Sequence, residues 1–169
     1  ESGYLYASLP GNLPGGRRAP VLGLIAHVDT YPAVSGKDVK PQVIERYAGG
    51  PIALPGDATV VITPEDQPKL NLCVGHTLVT SDGTTLLGAD DKAGLAEIMT
   101  AVAHLAAHPE LPRPTLRIGF TPDEEIGLGA SLFDVERFGA RCAYTIDGSS
   151  LGELSDETFT ASGAVVRIE

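Results

Sequence analysis

Short apolar runs set off by glycine and proline alternate along this chain with one long helical stripe. Val21 to Ala26 (VLGLIA) is continuous in apolar and small residues, the pattern of a strand buried on both faces. Tyr4 to Leu9, Thr115 to Phe120 (TLRIGF) and Ala143 to Ile146 read as further strands. From Lys92 to about His108, the residues Leu95, Ile98, Met99, Val102 and Leu105 recur at the three- and four-residue spacing of one helix face, and Pro109 closes it. A shorter helix is expected over Ala130 to Phe138. The run HTLVTSDGTTLLG reads as a hairpin turning at Ser81-Asp82-Gly83, because an Asp-Gly pair tolerates the positive φ of a tight turn. Tyr31 to Asp57 is long, rich in Gly and Pro and weakly periodic, so it is expected as a surface excursion near the site.

Strands alternating with helices imply an α/β layered sheet with mainly parallel central strands. Ligands bind such sheets beyond the carboxyl ends of the strands, and the polar residues of interest fall there. His27 and Asp29 follow VLGLIA, Asp90 and Asp91 follow TTLLGA, Glu124 and Glu125 follow TLRIGF, and Asp147 follows AYTI. Neighbouring strands would gather one histidine and several carboxylates at one rim, where mutual repulsion calls for divalent cations. Imidazole with carboxylate suits zinc, with manganese and cobalt as substitutes.

Each pair also has a purely structural reading. His27 and Asp29 share a face of extended chain and can bond each other without metal. Thr121, Pro122 and Glu124 fit a helix capping box, although Gly127 and Gly129 would interrupt any helix started there. Asp90 and Asp91 can cap the helix that follows, and Asp147 before Gly148 can be a turn residue. His76, His104 and His108 read as structural.

Composition narrows the partners. A net charge of -10 argues against nucleic acid and anionic membrane, which require clustered Lys and Arg. No apolar run approaches the roughly 18 to 20 residues of a membrane span, so a cytoplasmic location is the expectation. The two cysteines, Cys73 and Cys142, lie far apart, lack thiolate-metal spacing and are expected as buried thiols.

The segments AHVDT, LLGADDKAGLAEIMTA, TPDEEIGLGA and YTIDG occur in the order and approximate spacing found in the dinuclear zinc peptidases of the M20 class, which this chain resembles. The loop SGKDVKPQVIERYAGGPIAL further resembles that of the tripeptide aminopeptidases within the class. The resemblance implies a three-layer α/β sandwich with a mixed, mainly parallel central sheet. It implies hydrolysis of the N-terminal residue from a short peptide, with two Zn2+ per complete site. His27, Asp90 and Asp147 would complete one metal position, Asp90 would bridge to the other, and Glu125 would serve the second. Glu124 would be the general base and Asp29 would orient His27. A cis peptide would follow Asp90, and Gly94 would allow close packing near the site.

The resemblance also implies that residues 1–160 form part of a catalytic domain and that 161–169, where SGAVVRIE alternates like a strand, begin a lid domain. The second ion's remaining histidine would come from a later part of the chain, and the full-length form is compatible with a homodimer. Two alternatives use the same residues: another hydrolase of the class, such as a dipeptidase, carboxypeptidase or deacylase, or a non-catalytic metal-binding fragment.

Overall fold

The computed structural model describes residues 2–148, 150, 152–156 and 167. Four of the expected strands form one sheet. They are β1 (Leu5–Leu9), β2 (Leu22–His27), β7 (Leu116–Thr121) and β8 (Cys142–Thr145), in the order β1-β7-β2-β8. β2 runs parallel to both β7 and β8, while β1 pairs antiparallel with β7. The register sets Ala26 beside Phe120 and His27 beside Thr121, so β2 and β7 end at the same level.

The apolar stripe of α1 (Ala89–Ala107) covers one sheet face, where Ile98 packs with Ala26, Leu116, Ile118 and Phe120. Burial of these side chains is the main stabilising term, about 1.5 to 3 kcal/mol for each large apolar residue. The opposite face carries an aromatic group. Phe133 stacks edge-on against Tyr6 and Phe138, the last residue of α2 (Val135–Phe138). A Cβ at Gly23 would press on the Phe138 ring, so glycine there lets the helix lie close to the sheet. Helix, sheet and aromatic segment make the expected three layers, with the sheet mixed and mainly parallel.

The long excursion folds on itself. β3 (Gln42–Ile44) pairs antiparallel with β6 (Leu78–Thr80), and β4 (Ile52–Ala53) with β5 (Val61–Ile62). Tyr47, Ile52 and Leu54 are buried together as a second small core. This overturns the expected hairpin: β6 finds its partner in β3, more than thirty positions away (about 36 between Val43 and Val79), and residues 81–88 carry no strand. Gly83 does hold a positive φ of 96°, as its Asp-Gly context suggested. Its turn serves the second core, where a Cβ would strike Leu54.

Asp82 ties this lobe together. Its buried carboxylate accepts from the Thr84 hydroxyl at 2.6 Å and the Thr84 amide at 2.9 Å, and lies 3.5 Å from Lys40 Nζ. The hydroxyl bond, then the amide bond, hold its pKa below the ordinary carboxylate range. A depressed pKa stabilises the fold above the unfolded value of about 3.9, and that contribution disappears as pH falls through the folded value. Asp82→Asn is therefore expected to lower the thermal midpoint at neutral pH. The gap from the unsubstituted protein should close as melts are repeated into the acid range.

Two smaller expectations are corrected. Glu124–Ile126 form a single 3-10 turn whose preceding residue, Asp123, is left-handed (φ 62°) and makes no side-chain cap, so the capping box is not formed; Thr121 instead ends β7. Cys73 is half-buried and Cys142 is exposed, because β8 lies at the sheet edge. The expected lid entry at 161–169 lies outside the described residues, Arg167 excepted. No helix among the described residues is long and apolar enough to cross a membrane.

Candidate metal centre

His27 closes β2 and is 3 % exposed, with its ring fixed between oxygen acceptors on both sides. Nδ1 faces the Asp29 backbone carbonyl at 3.2 Å and the Asp29 carboxylate at 3.3 Å. Nε2 faces Asp90 Oδ1 at 2.9 Å, Asp147 Oδ2 at 3.7 Å and Glu124 Oε2 at 3.8 Å. Burial acts against a charge on this imidazole. The hydrogen bond to Asp90 and the charges of Asp91, Glu124 and Asp147 outweigh it and raise the pKa. With Nδ1–H bonded to Asp29, the Nε2 lone pair points into a ring of carboxylates, an arrangement that only a proton or a metal cation can neutralise.

The acids reach this point by different routes. Glu124 and Glu125 sit in the turn after β7, and both of their amides donate to the Asp29 carboxylate, at 3.2 and 3.1 Å. Burial works to raise the Asp29 pKa, but these amides, with His27, bring it below the ordinary range. One acid therefore fixes both the imidazole and the turn that presents the glutamates. Asp147 follows β8, the parallel neighbour of β2.

Asp90 and Asp91 arrive from irregular chain rather than from a strand, so three strand ends and one helix start supply the site. The helix entry carries non-helical angles at both residues, and the peptide between them is cis, as the resemblance implied. This geometry separates the two carboxylates. Asp90 is largely exposed and faces His27 Nε2. Asp91 is 3 % exposed, and its two oxygens accept from the amides of His27 and Gly94 at 3.1 and 3.2 Å. Burial first, and then the charge of Asp147, push the Asp91 pKa up against those amide bonds. Asp91 thus locks the end of β2 to the start of α1. Sequence pattern marks it only as an acid beside Asp90.

Two overlapping triplets offer ligand atoms within 4.8 Å of one another: His27, Asp90 and Glu125, and His27, Asp91 and Asp147. The expected residues His27, Asp90, Glu125 and Asp147 all fall in these triplets but are grouped differently from the expected set, since Asp90 stands with Glu125 and Asp147 with Asp91; Glu124 faces His27 Nε2 and Asp29 faces its Nδ1. Among the described residues, His27 is the only basic side chain within ion-pair distance of these carboxylates; the nearby Lys92 instead donates to the Val28 carbonyl at 3.1 Å. The donor set of one imidazole and several uncompensated carboxylates fits a divalent metal of the zinc, manganese or cobalt kind. A cavity of about 660 Å³ opens beside Asp90, Asp91 and Asp147 and is lined also by Glu97 and Tyr144.

Gly94 sets how closely α1 approaches this rim. A Cβ there would overlap the Ile146 carbonyl oxygen and the Asp91 carboxylate. Gly94→Ala is expected to push the helix start away from β8, at an overpacking cost of about 1 to 3 kcal/mol. Thermal unfolding checks the cost, and metal titration of the same variant checks the accompanying loss of ion affinity.

Comparison with known proteins agrees with this geometry. Peptidase T of an Exiguobacterium species is 56% identical over 166 residues, covering 98% of this chain and 40% of that protein. Peptidase T of Desulfitobacterium hafniense (strain DSM 10664 / DCB-2) is 53% identical over 169 residues, covering 100% of this chain and 41% of that protein. The chain thus spans about 40% of the length of these relatives. The crystal structure of the aminopeptidase PepT from Bacillus cereus superposes with a TM-score of 0.60 at 30% identity, over 88% of this chain and 30% of that one. Residues 59–157, more than half of the chain and including Asp90, Asp91, Glu124, Glu125 and Asp147, match the profile of Peptidase family M20/M25/M40. The shared fold, the sheet-end acids and this match together establish that the chain belongs to the M20/M25/M40 peptidase family.

Proposed function

We propose that this chain is part of the catalytic domain of a longer metal-dependent aminopeptidase that removes the N-terminal residue from tripeptides. The observation that carries the proposal is the convergence of Asp90, Asp147 and Glu124 on the Nε2 of His27, with no other basic side chain among the described residues to neutralise them. His27, Asp90 and Asp147 would hold one zinc ion, and Asp90 with Glu125 would contribute to a second. Zinc bound there would supply acidified water and polarise the scissile carbonyl.

The residues of this chain do the rest. Asp29 keeps the His27 proton on Nδ1 and so directs the Nε2 lone pair at the site, while its carboxylate holds the Glu124–Glu125 turn in place. Asp91 fixes the position from which Asp90 projects. Glu124 is half-exposed, and its Oε2 faces the same point as the His27 ring. It acts as general base, taking a proton from the attacking water as the water oxygen bonds to the carbonyl carbon. The same carboxyl then gives the proton to the amine as the C–N bond breaks. The adjoining cavity, which Asp90 and Asp147 line, has the size of a small-ligand site.

A substrate panel tests the reaction. The full-length protein, loaded with zinc, is expected to release the N-terminal residue from free tripeptides and to leave N-acylated amino acids intact. Preference for N-acylated substrates would assign it instead to the deacylase or carboxypeptidase reading.

A further inference from the structure

At the far end of α1, away from the acids, two histidines stack. His104 lies in the last turn of α1 and His108, four positions on, is its C-cap residue; their ring centroids are 4.5 Å apart and their planes are tilted by 40°. Both are exposed, and His108 caps the helix by donating its amide to the His104 carbonyl. Glu110 then folds back so that its Oε1 lies 3.0 Å from His108 Nδ1. With its Nδ1 proton held by that carboxylate, His108 keeps the Nε2 lone pair free and aimed away from Glu110. This is the carboxylate–imidazole arrangement that fixes the ring orientation of a metal-bound histidine. The last turn of a helix also carries the negative end of its dipole, which favours a cation there.

We infer that His104 and His108 form a second metal site, taking one divalent late first-row transition ion of the Cu2+, Ni2+ or Zn2+ class through their two Nε2 atoms, with Glu110 positioning His108. Two imidazoles at this spacing can meet one ion, and borderline metals prefer imidazole to carboxylate or carbonyl oxygen. The site is separate from the acid-rich centre. At about 1.5 Å of rise per residue, Lys92 and His108 stand about 24 Å apart along the helix. The inference does not depend on the proposed peptidase chemistry.

Cu2+ is the probe, added to the full-length protein after its acid-rich centre has been loaded with zinc. The unsubstituted protein is expected to take up one more Cu2+ than the His104→Gln, His108→Gln double variant, with electron paramagnetic resonance showing two imidazole nitrogens on that ion. Glu110→Gln is expected to weaken this binding by about tenfold or more. Turnover of tripeptide should be the same in all of these proteins, since none of the three residues lies at the reacting centre. Should the double change disturb the helix end, His104→Gln alone leaves the cap residue in place and gives the same comparison. Equal Cu2+ uptake by the unsubstituted and substituted proteins would overturn the inference, as would a bound ion with fewer than two nitrogen ligands.

Discussion

Glu124→Gln in the full-length protein is expected to lower kcat for tripeptide hydrolysis by about 10² to 10⁴ while leaving its metal content unchanged. The amide is nearly isosteric with the carboxyl and keeps the turn after β7, whose position depends on the backbone amides of residues 124 and 125 rather than on the Glu124 side chain. It cannot accept a proton from water and return it. The loss should therefore fall on the chemical step, with KM little changed. Steady-state kinetics beside metal analysis check this. Full activity in the variant would remove Glu124 from the role of base, and a parallel loss of metal would make it a ligand instead.

The second large effect is expected on removing metal. A chelator should abolish turnover and also lower the thermal midpoint, because the stripped site leaves Asp90, Asp147 and the glutamates facing one another around His27. An ion that binds only the folded protein stabilises it by about 2.7 kcal/mol when present at a hundredfold excess over its Kd. Refilling with zinc should restore both activity and midpoint. Scanning calorimetry with and without chelator checks the stability effect. A midpoint indifferent to chelator would mean that the acids are a solvated surface.

The gathering of these residues was legible in the sequence because they lie at the ends of strands and at the start of a helix with strong periodicity. VLGLIA, TLRIGF and the stripe from Leu95 to Leu105 each bury a face against the same core, so local pattern and tertiary packing agree. His27, Glu124, Glu125 and Asp147 inherit their convergence from the parallel register of β2 with β7 and β8. What escaped was set by long-range pairing or by single atoms. The strand Leu78–Thr80 pairs with Gln42–Ile44 rather than with its neighbour in sequence, a choice made by the second core around Tyr47 and Leu54. The division of labour between Asp90 and Asp91 likewise depends on which oxygen meets which amide. Two adjacent aspartates before a helix look equivalent as letters, whereas in the fold one faces the His27 ring and the other, buried, joins β2 to α1 through one amide bond to each oxygen. The capping-box pattern at Thr121 misled because strand β7 claims Thr121 for its ladder, leaving Asp123 to turn the chain.

In the function proposed above, these carboxylates would together hold two metal ions, Asp90 contributing to both. Metal analysis of the purified full-length protein and its Asp90→Ala variant tests it most directly. With His104 and His108 changed to Gln in both proteins, so that the separate imidazole site does not contribute, two divalent ions per chain are expected when Asp90 is present, with loss of tight binding at both positions in the variant. Two ions retained after the substitution, or none bound before it, would show that Asp90 does not serve both positions.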